Sequence, residues 1–238
     1  MEQPSPPFTF NDSAAVKVVH VGRRGIAITL IDNVLQDPES VAALGFSASY
    51  SEDRSNLYPG MRAPMPESFS SAFRVWLTRI LQRTGVLGSQ RAIADLTSFF
   101  SVVTTPSEDL LPIQRIPHYD STDPGLLAAV IYLCPPRFSG TSFYRHRRTG
   151  YEEITTENQK NYQLALAQDM RVHGPPQREY VNGDSQLFEL VFSNELKFNS
   201  AIVYPGRMLH AGTIDRQLRR PQDKSEWRLT ITALFQLA

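Results

Sequence analysis

The chain has 238 residues, 41% hydrophobic and 20% charged, with 24 basic and 24 acidic side chains and a formal net charge of zero. That length and balance suit a globular chain with one full core, and neutrality removes any global electrostatic case for nucleic acid or an anionic membrane as partner. The one cysteine, Cys134, excludes an intramolecular disulfide and fits a reducing compartment, and the longest apolar run, residues 126–134, is far too short to cross a bilayer.

In chain order, residues 1–7 read as a flexible tail. Residues 1–10 are proline-rich and lack a basic stretch followed by an apolar one, so no secretory signal is expected and the expected location is cytoplasmic. Residues 16–21 and 26–31 are β-rich runs separated by Gly22-Arg23-Arg24-Gly25, which predicts a hairpin. Asp37-Pro38-Glu39 is an N-cap, a proline at the first helical position and an acidic first turn, predicting a short helix to about Leu44 that Gly45 stops. Residues 47–66 read as a long irregular loop with a turn at Tyr58-Pro59-Gly60; loops of this length are often functional.

Residues 67–85 give the clearest helix. Phe69, Phe73, Trp76, Leu77, Ile80 and Leu81 recur at spacings of three and four, and Gly85 is a natural stop. Such a stripe reads as core packing, and the helix is available either to support a barrel or to join a homodimer. From Leu96 onward strands dominate: residues 97–103, 113–118, 126–134, 140–145, 187–192, 201–204 and 227–235. A helical insertion over about 156–170, capped by Thr155 or Thr156, falls between them. Short strands with turn signals and a few flanking helices predict a mainly β, α+β chain built as a double-stranded β-helix, the jelly-roll or cupin-like barrel. We expect one domain over 1–238, with 1–95 as a supporting region and 96–238 as the barrel, interrupted by the insertion near 152–182.

Two fragments carry the chemistry. The first is Arg115-Ile116-Pro117-His118-Tyr119-Asp120, and the second is Tyr204-Pro205-Gly206-Arg207-Met208-Leu209-His210-Ala211-Gly212. On a strand, alternate side chains share a face, so His118 and Asp120 can reach one ion. His210, arriving from a neighbouring strand near the barrel mouth, completes two imidazoles and one carboxylate. That facial set suits a non-haem Fe(II) centre with three open positions. Zinc also accepts this set with an open position, so a metal hydrolase is one alternative reading. A barrel that binds a ligand without chemistry is another.

The chain resembles the Fe(II)- and 2-oxoglutarate-dependent oxygenases, most of all their prolyl-hydroxylase-like branch and an uncharacterised family within it. The resemblance rests on Ile116-Pro117-His118-Tyr119-Asp120, on residues 127–133, on Ser139-Gly140-Thr141-Ser142-Phe143-Tyr144, on Tyr204-Pro205-Gly206 with Leu209-His210-Ala211-Gly212, and on residues 227–232 as the closing strand. It covers about residues 99–237. It implies His118, Asp120 and His210 as catalytic iron ligands, 2-oxoglutarate as co-substrate and O2 as oxidant. Relatives that halogenate have lost the acidic ligand, so Asp120 implies hydroxylation or a related oxidation. The substrate would be a small molecule, an amino acid or a peptide.

In that superfamily a basic residue after the distal histidine pairs with the far carboxylate of 2-oxoglutarate, and Arg228 is the match, although it stands 18 residues after His210. A guanidinium meets a carboxylate through two parallel charge-assisted hydrogen bonds. Arg216 and Arg220, in the polar stretch 215–226, are rivals. Arg228 is preferred because Arg228, Thr230 and Thr232 share one strand face while Leu229, Ile231 and Ala233 share the other. Tyr132 and Thr141 are further co-substrate candidates through their hydroxyls. Arg62, at the end of the long loop, is a candidate for a substrate carboxylate. The Arg145-His146-Arg147-Arg148 run reads as a solvated turn, with an anion site as the sharper reading. His173 reads as helix-terminal and His20 as structural.

Overall fold

Two antiparallel sheets pack face to face in the computed structural model, which describes residues 8–52, 57–136 and 138–238. The expected tail, 1–7, lies outside these residues, as do 53–56 of the long loop. In chain order the elements are β1 (Ala15–Val21), β2 (Ile26–Asp32), α1 (Pro38–Ser47), β3 (Gly60–Pro64), α2 (Glu67–Arg83), β4 (Ile93–Val103), β5 (Leu126–Tyr132), β6 (Thr141–His146), α3 (Gln159–His173), β7 (Phe188–Ser193), β8 (Ser200–Pro205), β9 (His210–Gly212) and β10 (Leu229–Leu237).

The large sheet runs β1-β2-β8-β5-β10-β4-β3 and the small one β7-β6-β9. An isolated bridge between His118 and His210 adds one residue beside β9. From β4 onward the chain therefore alternates between sheets: β4 large, the His118 bridge small, β5 large, β6 and β7 small, β8 large, β9 small, β10 large. This is the double-stranded β-helix expected from the sequence. The β1-β2 hairpin extends one edge of the large sheet at β8, and β3 extends the other at β4.

Strand alternation divides the large sheet between two cores. Leu127, Ala129 and Ile131 of β5, Ala201 and Val203 of β8, and Leu229, Ile231 and Ala233 of β10 face the helices. Ala128, Val130, Tyr132, Ile202 and Tyr204 face the small sheet, where Phe143 meets them. The period-2 reading of β10 is thus correct, and Thr230 and Thr232 lie on the interior side, hydrogen-bonded to Ser101.

Helix α2 has the expected extent and face. All six of its stripe residues are buried, and Gly85 ends it with φ +74°. The N-terminal segment adds what periodicity did not reveal: Phe10 stacks on Trp76 at 5.1 Å and on Phe73 at 5.3 Å, and the Trp76 indole N–H donates to the Asn11 carbonyl at 3.0 Å. Trp76→Ala removes the largest fully buried side chain among the described residues and one of the two hydrogen bonds to that carbonyl, which the Ala14 N–H keeps at 3.1 Å. The expected cost is about 3–5 kcal/mol, read as a lower urea midpoint at unchanged slope; a loss under about 1 kcal/mol would contradict a tight core here.

Several boundaries differ from expectation. Asp37 does cap α1, accepting from the Ser40 N–H at 3.1 Å, but the helix continues through Gly45 to Ser47. Gly45 is there for close approach, since a Cβ would meet Leu229 at 2.8 Å and Phe100 at 3.0 Å. The loop 47–66 contains β3, an edge strand bonded to β4, so Arg62 stands on a strand rather than in a loop. Residues 113–118 are not a strand: Pro112–Arg115 forms a 3-10 turn and His118 makes an isolated bridge. The insertion helix starts at Gln159 with Asn158 at its N-cap, later than Thr155 or Thr156; the Asn158 side chain accepts from the Thr155 N–H instead. His173 ends α3, and His20 is exposed on β1.

The run 145–148 is half buried and half exposed: β6 ends at His146, and Arg147 and Arg148 stand in the exposed turn that follows. Arg145 and His146 are buried, and each of the four side chains has a carboxylate partner. Arg145 binds Glu152 and Glu189, Arg147 binds Asp184, and His146 and Arg148 share Asp169 of α3. Glu152 also accepts from the Arg23 N–H at 3.1 Å, which ties the hairpin turn to the barrel. At Gly22, φ +74°, a Cβ would collide with that carboxylate.

Candidate metal centre

The site is built from a turn and a bridge. Pro205-Gly206-Arg207-Met208 closes through the Met208 N–H to Pro205 carbonyl bond at 3.0 Å and delivers the chain into β9. His210 and His118 then exchange backbone hydrogen bonds at 2.8 and 2.9 Å, which sets their side chains directly opposite on one face. The rings lie 4.2 Å apart. Two residues further, the Asp120 N–H donates to the Gly206 carbonyl at 2.7 Å. Gly206 permits that approach, because a Cβ there would stand 2.9 Å from Leu126 and 3.4 Å from the Asp120 Cβ.

Three ligand atoms converge as a result. One atom each from His118, Asp120 and His210 lies within 4.8 Å of the others. His118 Nε2 is 3.8 Å from Asp120 Oδ1, and His210 Nε2 is 3.6 Å from Asp120 Oδ2. His210 Nδ1 is 2.8 Å from the Met208 carbonyl. A carbonyl can only accept, so Nδ1 carries a proton and Nε2 is the nitrogen turned towards the carboxylate. The His118 imidazole is pushed down to about 4 by desolvation and by the neighbouring His210, against the opposing pull of Asp120. Half of its side chain faces solvent, which tempers the desolvation, but the direction favours the neutral, ligating form. The donor set therefore fits a divalent transition metal: two imidazoles, one carboxylate and an open side.

Behind the triad the interior is aromatic, then polar. Tyr204 packs edge-on against His210 at 4.7 Å and against Phe143 at 5.0 Å. Burial holds the Tyr204 phenol far above its usual range, with Asp120 acting in the same direction and Arg228 against it. Arg228 is buried just before β10, where its Nε donates to the Ser139 carbonyl at 3.1 Å and its Nη2 to the Gly140 carbonyl at 2.7 Å. Those bonds use two of five N–H groups and leave the end-on fork of Nη1 and Nη2 for a carboxylate. The guanidinium carbon is 5.5 Å from the Tyr132 ring centre. The Tyr132 hydroxyl is 2.8 Å from the Thr141 hydroxyl.

The structure thus brings together Arg228, Tyr132 and Thr141, and sends the two rival arginines elsewhere. Arg216 is exposed and bound to Asn182 and Glu179; Arg220 is exposed near Asp109. The Tyr132 hydroxyl is satisfied by the Thr141 and Asn194 side chains. Sequence reasoning missed Asn194, whose side-chain oxygen accepts from the Thr141 N–H at 2.6 Å and lies 3.4 Å from the Tyr132 hydroxyl. It also missed Tyr58, Phe143 and Tyr204 as interior residues, and no local pattern distinguishes them from core aromatics.

Among the described residues no helix is long and apolar enough to cross a membrane. No curated protein matches the chain. Among solved structures it is similar to a Pseudomonas putida prolyl-4-hydroxylase, at 12% identity and TM-score 0.46 over 88% of this chain and 91% of that one. It is similar to HygX from Streptomyces hygroscopicus with nickel and 2-oxoglutarate bound, at 11% identity and TM-score 0.45 over 89% and 83%. A third is an N-substituted L-amino acid dioxygenase from Burkholderia ambifaria AMMD, at 9% identity and TM-score 0.40 over 94% of each chain. A family model matches residues 12–235, and the chain belongs to that family, the family of unknown function DUF6445.

Proposed function

We propose that this chain is a non-haem Fe(II)- and 2-oxoglutarate-dependent oxygenase that hydroxylates an unactivated C–H bond of a small-molecule, amino-acid or peptide substrate. The observation that supports this most is the convergence of His118, Asp120 and His210 at one end of the barrel, with Arg228 fixed in the same interior. The sequence resemblance described above points the same way.

His118, Asp120 and His210 would hold the iron, and Arg228 the distal carboxylate of 2-oxoglutarate. Bound there, the metal and keto acid supply an O2-dependent oxidation that converts 2-oxoglutarate to succinate and carbon dioxide while oxidising the substrate. The protein supplies placement. The Met208 carbonyl keeps the His210 ring in its ligating tautomer. The Ser139 and Gly140 carbonyls fix the plane of the Arg228 guanidinium, so that less orientational freedom is lost when a carboxylate binds. Tyr132 and Thr141 offer hydroxyls beside it. Phe143 and Tyr204 shield the inner side of His210 from water.

Isothermal titration of 2-oxoglutarate into the Mn(II)-loaded protein tests the co-substrate assignment. Arg228→Met removes charge-assisted hydrogen bonds of about 1.5–3 kcal/mol, so its dissociation constant should rise about 10- to 150-fold. An unchanged constant would remove Arg228 from the site. Metal binding with no response to 2-oxoglutarate would favour a hydrolase on the same three ligands.

A further inference from the structure

Arg62 carries a charge that the described protein leaves uncompensated. Its backbone is held on both sides: Ser51 exchanges N–H and carbonyl bonds with it at 3.0 Å, and β4 pairs it with Ser101. The guanidinium carbon lies 4.3 Å over the Tyr58 ring centre and 5.7 Å from that of Phe99. Its Nε is buried without a hydrogen-bond partner, and among the described residues no carboxylate lies within ion-pair distance. Arg145, Arg147, Arg148, Arg207, Arg216 and Arg220 all have one. A half-buried guanidinium with an orphaned N–H costs stability unless a ligand completes it.

Its surroundings locate it in the interior already described. Ser101, its partner across the sheet, bonds Thr232 on the interior face of β10 at 2.7 Å. The Arg62 charge acts on His118, and both Arg62 and Arg228 act on the Tyr58 phenol. Among the described residues, and apart from the titratable His210 and Cys134, the charged side chains acting on His118, Tyr58, Tyr132 and Tyr204 are Asp120, Arg62 and Arg228. With a divalent metal on the triad and dianionic 2-oxoglutarate on Arg228, those charges and Asp120 cancel. Arg62 alone remains, one unit positive, in a partly desolvated setting where an unpaired charge is expensive.

We propose that Arg62 is the substrate anchor, and that the substrate is a monoanion whose carboxylate meets this guanidinium while its apolar body lies on Tyr58 and Phe99. This assignment rests on the oxygenase reading for its charge balance, but the orphaned Nε and missing carboxylate stand without it. Cation–π contact with two rings fixes the guanidinium plane and leaves its edge for a planar acid.

The test uses hexanoate and benzoate against hexanamide and benzamide, with Mn(II) and saturating 2-oxoglutarate bound. The paramagnetic ion broadens the proton signals of any probe seated beside it. The expected result is broadening by the acids at concentrations at least about tenfold below those the amides need, which is about 1.4 kcal/mol. Arg62→Met should abolish that preference, Arg62→Lys should restore part of it, and the 2-oxoglutarate affinity should stay within about twofold throughout. Arg62→Gln replaces the methionine variant if circular dichroism shows it unfolded. Equal broadening by acids and amides, or a preference that persists in Arg62→Met, would overturn the proposal. So would a tenfold loss of 2-oxoglutarate affinity in Arg62→Met, which would move Arg62 to the co-substrate. Should the wild type bind neither Mn(II) nor 2-oxoglutarate, saturation-transfer spectra of the same probes on the metal-free protein read the acid preference alone. An Arg62-dependent preference there would keep the anion anchor while the oxygenase reading falls, and its absence would sink both.

Discussion

Asp120→Ala should lower Fe(II) affinity by more than about 100-fold, the upper end of what losing a merely supporting partner costs. Asp120 supplies the one anionic donor of the triad and sits 3.6–3.8 Å from both imidazoles. Its side chain lies at the rim, 19% exposed, so its removal opens no core cavity and the variant should fold normally. His210→Ala should lose metal equally but also leave a void against Phe143 and Tyr204, with an added stability cost of about 1–2 kcal/mol. Equilibrium dialysis with Fe(II) under argon separates the effects. Wild-type affinity in the folded Asp120→Ala protein would remove the triad as the metal site.

Asp169→Ala should cost about 3 kcal/mol without touching metal affinity. The Asp169 carboxylate joins α3 to β6 by accepting from His146 Nε2 at 3.0 Å and Arg148 Nε at 2.6 Å, and both Asp169 and His146 are buried. A carboxylate only accepts, so His146 carries its proton on Nε2, and the Thr149 hydroxyl at 3.0 Å donates to Nδ1. Removing the acid strands a buried polar ring and breaks a buried pair at once. Urea unfolding measures the loss, and a change under about 1 kcal/mol would show the network to be dispensable.

The same histidine makes stability depend on pH. Burial is the largest influence on His146 and lowers its proton affinity against the opposing Asp169. The unfolded chain then binds more protons than the folded one below about pH 6.5. Stability is full above that value and falls as the pH drops through it. The urea midpoint should be lower at pH 5.5 than at pH 7.5, and His146→Gln should flatten the difference. His118 contributes with the same sign in the metal-free protein.

What the sequence revealed and what it hid follow from range. The α2 stripe and the two faces of β10 are local periodicities, and both were legible. The triad was legible because residue type and order survive even where the local geometry differs: His118 and Asp120 meet His210 through one bridge rather than along a full strand. Arg62 was misplaced because Gly60–Pro64 carries a glycine and a proline at its ends and no alternation, so it reads as loop; only pairing with β4 makes it a strand. The first half of the run 145–148, Arg145 and His146, misled for a related reason. Arg145 meets Glu189 44 residues away as well as Glu152, and His146 meets Asp169 23 residues away, so the pair looks solvated until those carboxylates fold onto it. The tautomer of His210 depends on a backbone carbonyl, which no residue type encodes.

On the proposed function, one interior holds both a divalent metal and 2-oxoglutarate. The most direct test is an anaerobic titration of the Fe(II)-loaded protein with 2-oxoglutarate, followed by visible metal-to-ligand charge-transfer absorption. A saturable band that disappears in His210→Ala and needs more 2-oxoglutarate in Arg228→Met is the predicted result. Stoichiometric iron binding with no band at any 2-oxoglutarate concentration would contradict it.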